Sequence, residues 1–174
     1  FVSLLIVFSF FTNLVLTPSA SARDFGKEVA LQAELKAIAK KTYKYFQDHT
    51  DPNTGMTYDE VRFTDEGKKV AAHTSPTNIA MYMMSTVSAE QMGIITRKDA
   101  VKRLQVSINT LEKLDKWNGL YYNWYYTKDG SLKKDWGQFI SQVDNGWLSA
   151  GLIVVGQAYK ELNGQTSTLV ENMD

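Results

Sequence analysis

The chain has 174 residues, enough for one domain, and its 44% apolar and 22% charged content makes it globular rather than disordered. Lys plus Arg and Asp plus Glu balance at 19 each, and the absence of a basic block argues against nucleic acid, whose binding rests on phosphate neutralisation. The lack of cysteine removes disulfides, thiolate catalysis and Cys-bound zinc, and two histidines, His49 and His73, are too few for a His-rich metal site.

Phe1 to Leu16 is almost wholly apolar and uncharged, and the following Thr17-Pro18-Ser19-Ala20-Ser21-Ala22 ends in a small-x-small pattern before Arg23. That is the hydrophobic region and cleavage site of a secretory signal peptide whose own start is truncated. Cleavage is expected after Ala22, with residues 1–22 removed and the product secreted or periplasmic. The run is shorter than the ~20 residues that cross a bilayer, so membrane contact is expected only if the segment stays uncleaved.

Asp24 to Phe46 reads as a helix with Leu31, Leu35, Ile38, Thr42 and Phe46 on one stripe, ending before Pro52. Asp51-Pro52-Asn53-Thr54-Gly55 is a turn, followed by a short extended piece that carries Asp59 and Glu60. Neighbours on an extended chain face opposite ways, so at most one of these carboxylates meets a given cleft. Glu60 reads as structural.

Thr74-Ser75-Pro76-Thr77-Asn78 starts a helix with capping hydroxyls and an early Pro. The helix that follows, Ile79 to Met92, is apolar nearly all round and is expected to be buried on all sides. Its methionines read as adaptable core filler. Thr96 to Leu114 has only a narrow stripe (Val101, Leu104, Ile108, Leu111) and a near-complete capping box. A wholly buried helix followed by a one-sided one makes an inner-outer pair, and stacking such pairs in a ring gives a helical toroid.

Between Trp117 and Phe139 the aromatics follow neither a helical nor a strand period. Rings that dense cannot all be buried, and beside Asn and Asp they suit a sugar cleft, which needs flat apolar walls and a few convergent polar groups. Asp129-Gly130 marks a tight turn, giving a hairpin or a long excursion at one rim. Ser141 to Leu162 reads as a second inner helix, packed through Val143, Leu148, Leu152, Val155, Tyr159 and Leu162. Its glycines allow close approach, and Asp144-Asn145 lies in its first turn. Asn163-Gly164 is expected to end it, and Ser167 to begin another.

From about Asp51 on, four segments (DPNTGMTYDE, HTSPTNIAMYMMS, LEKLDKWNGLYYNWY and FISQVDNGWLSAGL) resemble in order and spacing the bacterial glycoamylase-like and DUF3131 domains. That group also occurs beside cyclic glucan synthases and in β-glucan hydrolases. The resemblance implies an all-α (α/α)6 toroid with an acidic, aromatic-lined cleft at one end, and glycoside hydrolysis or transglycosylation of a bacterial glucan or exopolysaccharide. Carried over by position, Asp59, Thr74, Ser75, Asn78, Tyr122, Asn123, Trp124, Tyr125, Asp144 and Asn145 would line that cleft. Trp147 departs from the family, which commonly has a small or polar residue there, and would add a stacking surface or narrow the cleft. Asp144 is the first candidate carboxylate and Asp59 the second. Such a toroid needs about twelve helices, so residues 23–174 are expected to be the N-terminal part of one, its later helices and a further carboxylic acid lying elsewhere. No metal motif is present, so neither metal nor cofactor is expected. The rival expectation is a non-catalytic polysaccharide-binding module.

Overall fold

The structure, a computed structural model, describes residues 22–173. The expected signal segment therefore lies outside the described residues but for Ala22. No helix among the described residues is long and apolar enough to cross a membrane. The chain divides into two compact units between Ile38 and Ala39.

The described part of the first unit is purely helical and belongs to α1 (Ala22–Asp48). Its expected stripe is uncovered: Leu31, Leu35 and Ile38 are each about half exposed. In the second unit Thr42 is exposed as well, and Tyr43 is the buried residue of α1. Its hydroxyl meets Thr86 Oγ1 at 3.3 Å, while Phe46 packs against Tyr82. Of the expected stripe Phe46 lies on the covered face, and the other residue of that face, Tyr43, stands one position beyond the expected Thr42.

The rest of the second unit is helix-dominated, with α2 (Pro76–Gln91), α3 (Arg97–Lys113), α4 (Gln142–Ala158) and α5 (Lys160–Glu171). Ser75 caps α2 by accepting from Asn78 N–H, with Pro76 in the first turn, and Thr96 caps α3 by accepting from Asp99 N–H. α2 packs on α4 and α3, and α5 packs on α4 and α3. The α2–α4 contact is close because Gly151 faces Ala80, where an added Cβ would stand 3.1 Å from the Ala80 Cα. Between the helices Ile79, Met83, Leu104, Ile108, Leu111, Leu148, Leu152 and Val155 form one core.

Four expectations need correction. The helix read as one run to Leu162 is two, broken at Tyr159 (φ −128, ψ 98), so that Asn163 and Gly164 fall inside α5. Tyr159 is fully buried and lies under the Arg97 guanidinium, 4.8 Å from its ring centre. Gly156 permits the corner, since a Cβ there would come within 2.5 Å of Thr166 Oγ1. No Pro or Gly marks the break, and the apolar period runs straight across it. Val143 does not pack: it is 72% exposed. Nor is α2 buried on all sides, because Met81, Met84, Ser85 and Ser88 open onto an apolar groove of about 410 Å3 shared with Tyr43, Phe46 and Trp147. The all-α reading, which allowed a rim loop or hairpin around Asp129-Gly130, did not foresee three antiparallel two-stranded pieces.

Those pieces are β1 (Glu60–Thr64) with β2 (Gly67–Ala71), β3 (His73–Thr74) with β6 (Tyr125–Tyr126), and β4 (Lys116–Trp117) with β5 (Leu120–Tyr121). The β4–β5 hairpin closes on Asn118-Gly119, both at positive φ (47 and 81), the conformation a two-residue type I′ turn requires. The Asp129-Gly130 turn is present too: Gly130 has φ 75, Tyr125 bridges Leu132, and Lys133 N–H donates to Trp124 O at 3.0 Å.

Candidate functional site

The β3–β6 ladder sets the aromatic segment beside the start of α2. Thr54 Oγ1 donates to Thr127 O at 2.6 Å and Thr127 Oγ1 donates to Ala72 O at 3.2 Å, stitching the turn before β1, the segment before α2 and the aromatic segment together. Onto that frame two carboxylates converge. Asp144, in the first turn of α4, accepts from Thr77 Oγ1 at 2.6 Å. Asp59 accepts from Asn78 Nδ2 at 2.7 Å. Thr77 and Asn78 are consecutive residues of the first turn of α2, so one turn of helix holds both acids.

The other side of the site is aromatic. With the Asn123 amide turned so that both its atoms are satisfied, its nitrogen donates to Asp144 Oδ2 at 3.1 Å and its oxygen accepts from Trp124 Nε1 at 3.2 Å. Trp124 meets Trp136 edge to face (centroids 5.3 Å), and His73 stands edge-on to both, at 5.2 and 4.7 Å. His73 Nε2 lies 3.6 Å from Asp59 Oδ2, beyond hydrogen-bond range. The contacts close a ring: Asp59, Asn78, Thr77, Asp144, Asn123, Trp124, His73 and back to Asp59. Burial holds His73 below its usual pKa range, with Lys133 acting the same way and Asp59 and Asp135 opposing. Lys133 is itself buried, its ammonium 3.9 Å over the Trp136 ring and ion-paired with Asp135, whose carboxyl it holds below the ordinary range.

Of the expected residues, Asp59, Asn78, Asn123, Trp124 and Asp144 are brought together. Others serve as supports. Thr74 is fully buried, and the Ser75 hydroxyl is committed to capping α2. Tyr125 is fully buried, its hydroxyl donating to Asp115 O (2.7 Å) and accepting from Tyr122 N–H (2.8 Å), and burial raises its pKa. Asn145 uses its whole amide on backbone: Oδ1 accepts from Tyr121 N–H at 2.8 Å, and Nδ2 donates to Tyr121 O and Ser141 O at 2.9 Å each. That leaves no group on Asn145 for a sugar. Tyr122 and Trp147 lie in two other concavities, Trp147 in the apolar groove and Tyr122 beside Trp117. Glu60 pairs with Arg62 at the surface. Sequence reasoning missed His73, Thr77 and Lys133. From sequence, two histidines speak only to metal binding, and a Thr in a helix's first turn reads as a capping residue. Among the described residues no cluster of three His, Cys, Asp or Glu is placed to hold a metal.

A family model described as "Protein of unknown function (DUF3131)" matches residues 37–174. This chain belongs to the DUF3131 family. The DUF3131 chain is 32% identical over 143 residues to the cyclic β-(1,2)-glucan synthase NdvB of Rhizobium meliloti (strain 1021), a match that covers 81% of this chain and 5% of that protein. Among solved structures it superposes on an endo-β-1,2-glucanase from Chitinophaga pinensis, solved with sophorotriose and glucose. That match has TM-score 0.65 and 23% identity, covering 82% of this chain and 35% of the other. A β-1,2-glucanase from Parabacteroides distasonis is similar (TM-score 0.63, 21% identity, 80% and 20% covered). The expected family is thereby shown, and the helix-rich fold is the one these glucanases share. The DUF3131 chain spans a small part of the curated relative and about a third or less of these solved chains.

Proposed function

We propose that this chain contributes a glucan-acting, glycoside hydrolase-type site in which Asp144 and Asp59 are the acidic groups. The observation that carries the reading is the closed ring joining two carboxylates to a Trp–His–Trp cluster at one helix start. The names of the similar proteins point to β-1,2-linked glucan as the substrate to test first.

Hydrolysis of a glycosidic bond needs one carboxyl to protonate the departing oxygen and another to activate water or attack the anomeric carbon. Thr77 and Asn123 fix both oxygens of Asp144, which suits a group that must keep one orientation while charge develops on the sugar. Trp124 and Trp136 supply apolar walls for sugar faces. In this reading α2 to α5 are successive members of an (α/α)6 toroid, the aromatic segment is its rim, and the protein is exported after cleavage behind Ala22. N-terminal sequencing of the cell-free product tests the cleavage.

The decisive experiment uses the full natural polypeptide that contains this sequence, incubated with linear β-1,2-, β-1,3- and α-1,4-glucans while new reducing ends are counted. Release from one glucan, reduced at least about a hundredfold in Asp144→Asn, supports the site, since losing an acid-base group costs about two to four orders of magnitude. Binding without release, unchanged in that variant, leaves a non-catalytic polysaccharide-binding module instead.

A further inference from the structure

Trp117 is 56% exposed, yet its backbone is unusually well braced. It ends β4 at the Asn118-Gly119 turn, and Gly119 lies so close to the end of α5 that a Cβ on it would fall 1.5 Å from Asn172 O. Lys116 Nζ, next to Trp117, donates to the carbonyls of Leu111, Glu112 and Leu114 at 2.9, 3.1 and 3.0 Å, closing the C-terminal end of α3. Tyr122, on the far side of the hairpin, has its N–H held by the Tyr125 hydroxyl. Trp117 and Tyr122, with Gln138 and Ile140, line a concavity of about 340 Å3.

We infer that this shelf is a glucosyl-binding subsite, separate from the carboxylate ring, that grips an unreacting unit of a longer glucan. The inference rests on the glucan reading above and specifies a second contact for the same polymer. Two rings and an aliphatic side chain match the C–H faces of a hexose, while one carboxamide and one phenol match its hydroxyls. No charged side chain lines the shelf, so its chemistry selects a neutral ligand and gives no purchase to phosphate, carboxylate or ammonium groups. An exposed ring on a braced backbone loses little freedom when a ligand covers it.

The shelf also adjoins the reacting end. Asn123 N–H donates to Phe139 O at 2.9 Å, so Tyr122 on one side and Gln138 and Ile140 on the other directly flank the residue pair that leads, through the Asn123 side chain, to Asp144. A unit held there contributes equally to ground and transition states, lowering KM for long chains and leaving kcat alone.

The test compares Trp117→Ala and Trp117→Phe with the unaltered full natural chain on long linear β-1,2-glucan and on its short oligosaccharides. The expected result for Trp117→Ala is a rise of about tenfold in KM for the long polymer, with kcat and the short-substrate kinetics held and with Trp117→Phe largely restoring the wild-type value. Calorimetric binding of the long glucan to the Asp144→Asn protein weakens by the same factor when Trp117→Ala is added. Unchanged KM for the polymer overturns the subsite and leaves the glucan reading standing. Equal losses on long and short substrates with a lowered melting temperature assign Trp117 a structural role and also overturn it. If the unaltered protein neither binds nor cuts any of these glucans, the glucan reading falls and the subsite with it.

Discussion

Asn145→Ala separates a structural clamp from a sugar ligand. The Asn145 amide makes three hydrogen bonds to backbone at 2.8 to 2.9 Å, and the side chain is buried. Truncation removes about 0.5–1.5 kcal/mol of net stabilisation per bond and strands the N–H of the buried Tyr121 without a partner. The sum is a loss of about 3 kcal/mol, a large fraction of the roughly 5–15 kcal/mol that stabilises a typical domain. For a chain of this size that lowers the melting temperature by about 6–12 °C. Asn145→Asp does at least as much damage, because a carboxylate can accept from Tyr121 N–H but turns an oxygen toward two carbonyls. Urea unfolding followed by circular dichroism measures both variants, with the slope checked so that a midpoint shift reports stability alone. A loss below about 1 kcal/mol, or weakened glucan binding at unchanged stability, would refute the clamp and return Asn145 to the cleft.

Three further outcomes follow from the same geometry. Gly119→Ala combines a positive φ with a backbone collision at Asn172, so it destabilises by more than the 1–2 kcal/mol that left-handed strain alone costs; the urea midpoint reads this, and a neutral result contradicts the brace. Thr77→Val keeps the shape but removes the 2.6 Å donor to Asp144, and kcat on the cleaved glucan is expected to fall about tenfold at nearly constant KM; an unchanged kcat means that Asp144 needs no such support. His73 titrates below its usual value in the folded state, so as pH drops through 6.5 the unfolded chain takes up the proton first. The stability this group contributes is complete above that pH and is lost as pH falls toward the folded value. The stability difference between the wild type and His73→Gln should therefore shrink between pH 7 and pH 5, and a flat or growing difference would contradict the burial-driven shift.

The helix starts were legible because they are written in local chemistry: a hydroxyl and a Pro before α2, and Thr96 with Asp99 before α3. The helix ends and faces were less so. Tyr159 breaks a helix with no breaker residue, because the corner is made by tertiary contact of Gly156 with α5. Leu31, Leu35, Ile38 and Val143 keep an apolar period on surfaces that nothing covers in the described structure. Asn118-Gly119 carries a hairpin signal as Asp129-Gly130 does, but the flanking aromatics, which follow no strand period, mask the short strands it joins. At the site, the sequence pointed to two acids that the structure brings to one helix start, and could not separate side chains that line that site from those that hold it. Asn145 and Tyr125 belong to motifs that look like sugar-binding words, and only their hydrogen-bond partners reveal them as struts. His73 draws its place from two rings and a carboxylate far apart in sequence.

The first turn of α2 acts as a common ruler for the two acids. Asp144 arrives on α4 and Asp59 on the segment leading into β1, yet each is referenced to one of two adjacent residues, Thr77 and Asn78. Thermal drift of either segment is therefore measured against the same few backbone atoms, so the gap between the carboxyls is insulated from motions that carry the whole turn along. In the proposed two-acid mechanism, changing that gap and the stereochemical course it allows would require re-cutting α2 itself rather than remodelling a loop.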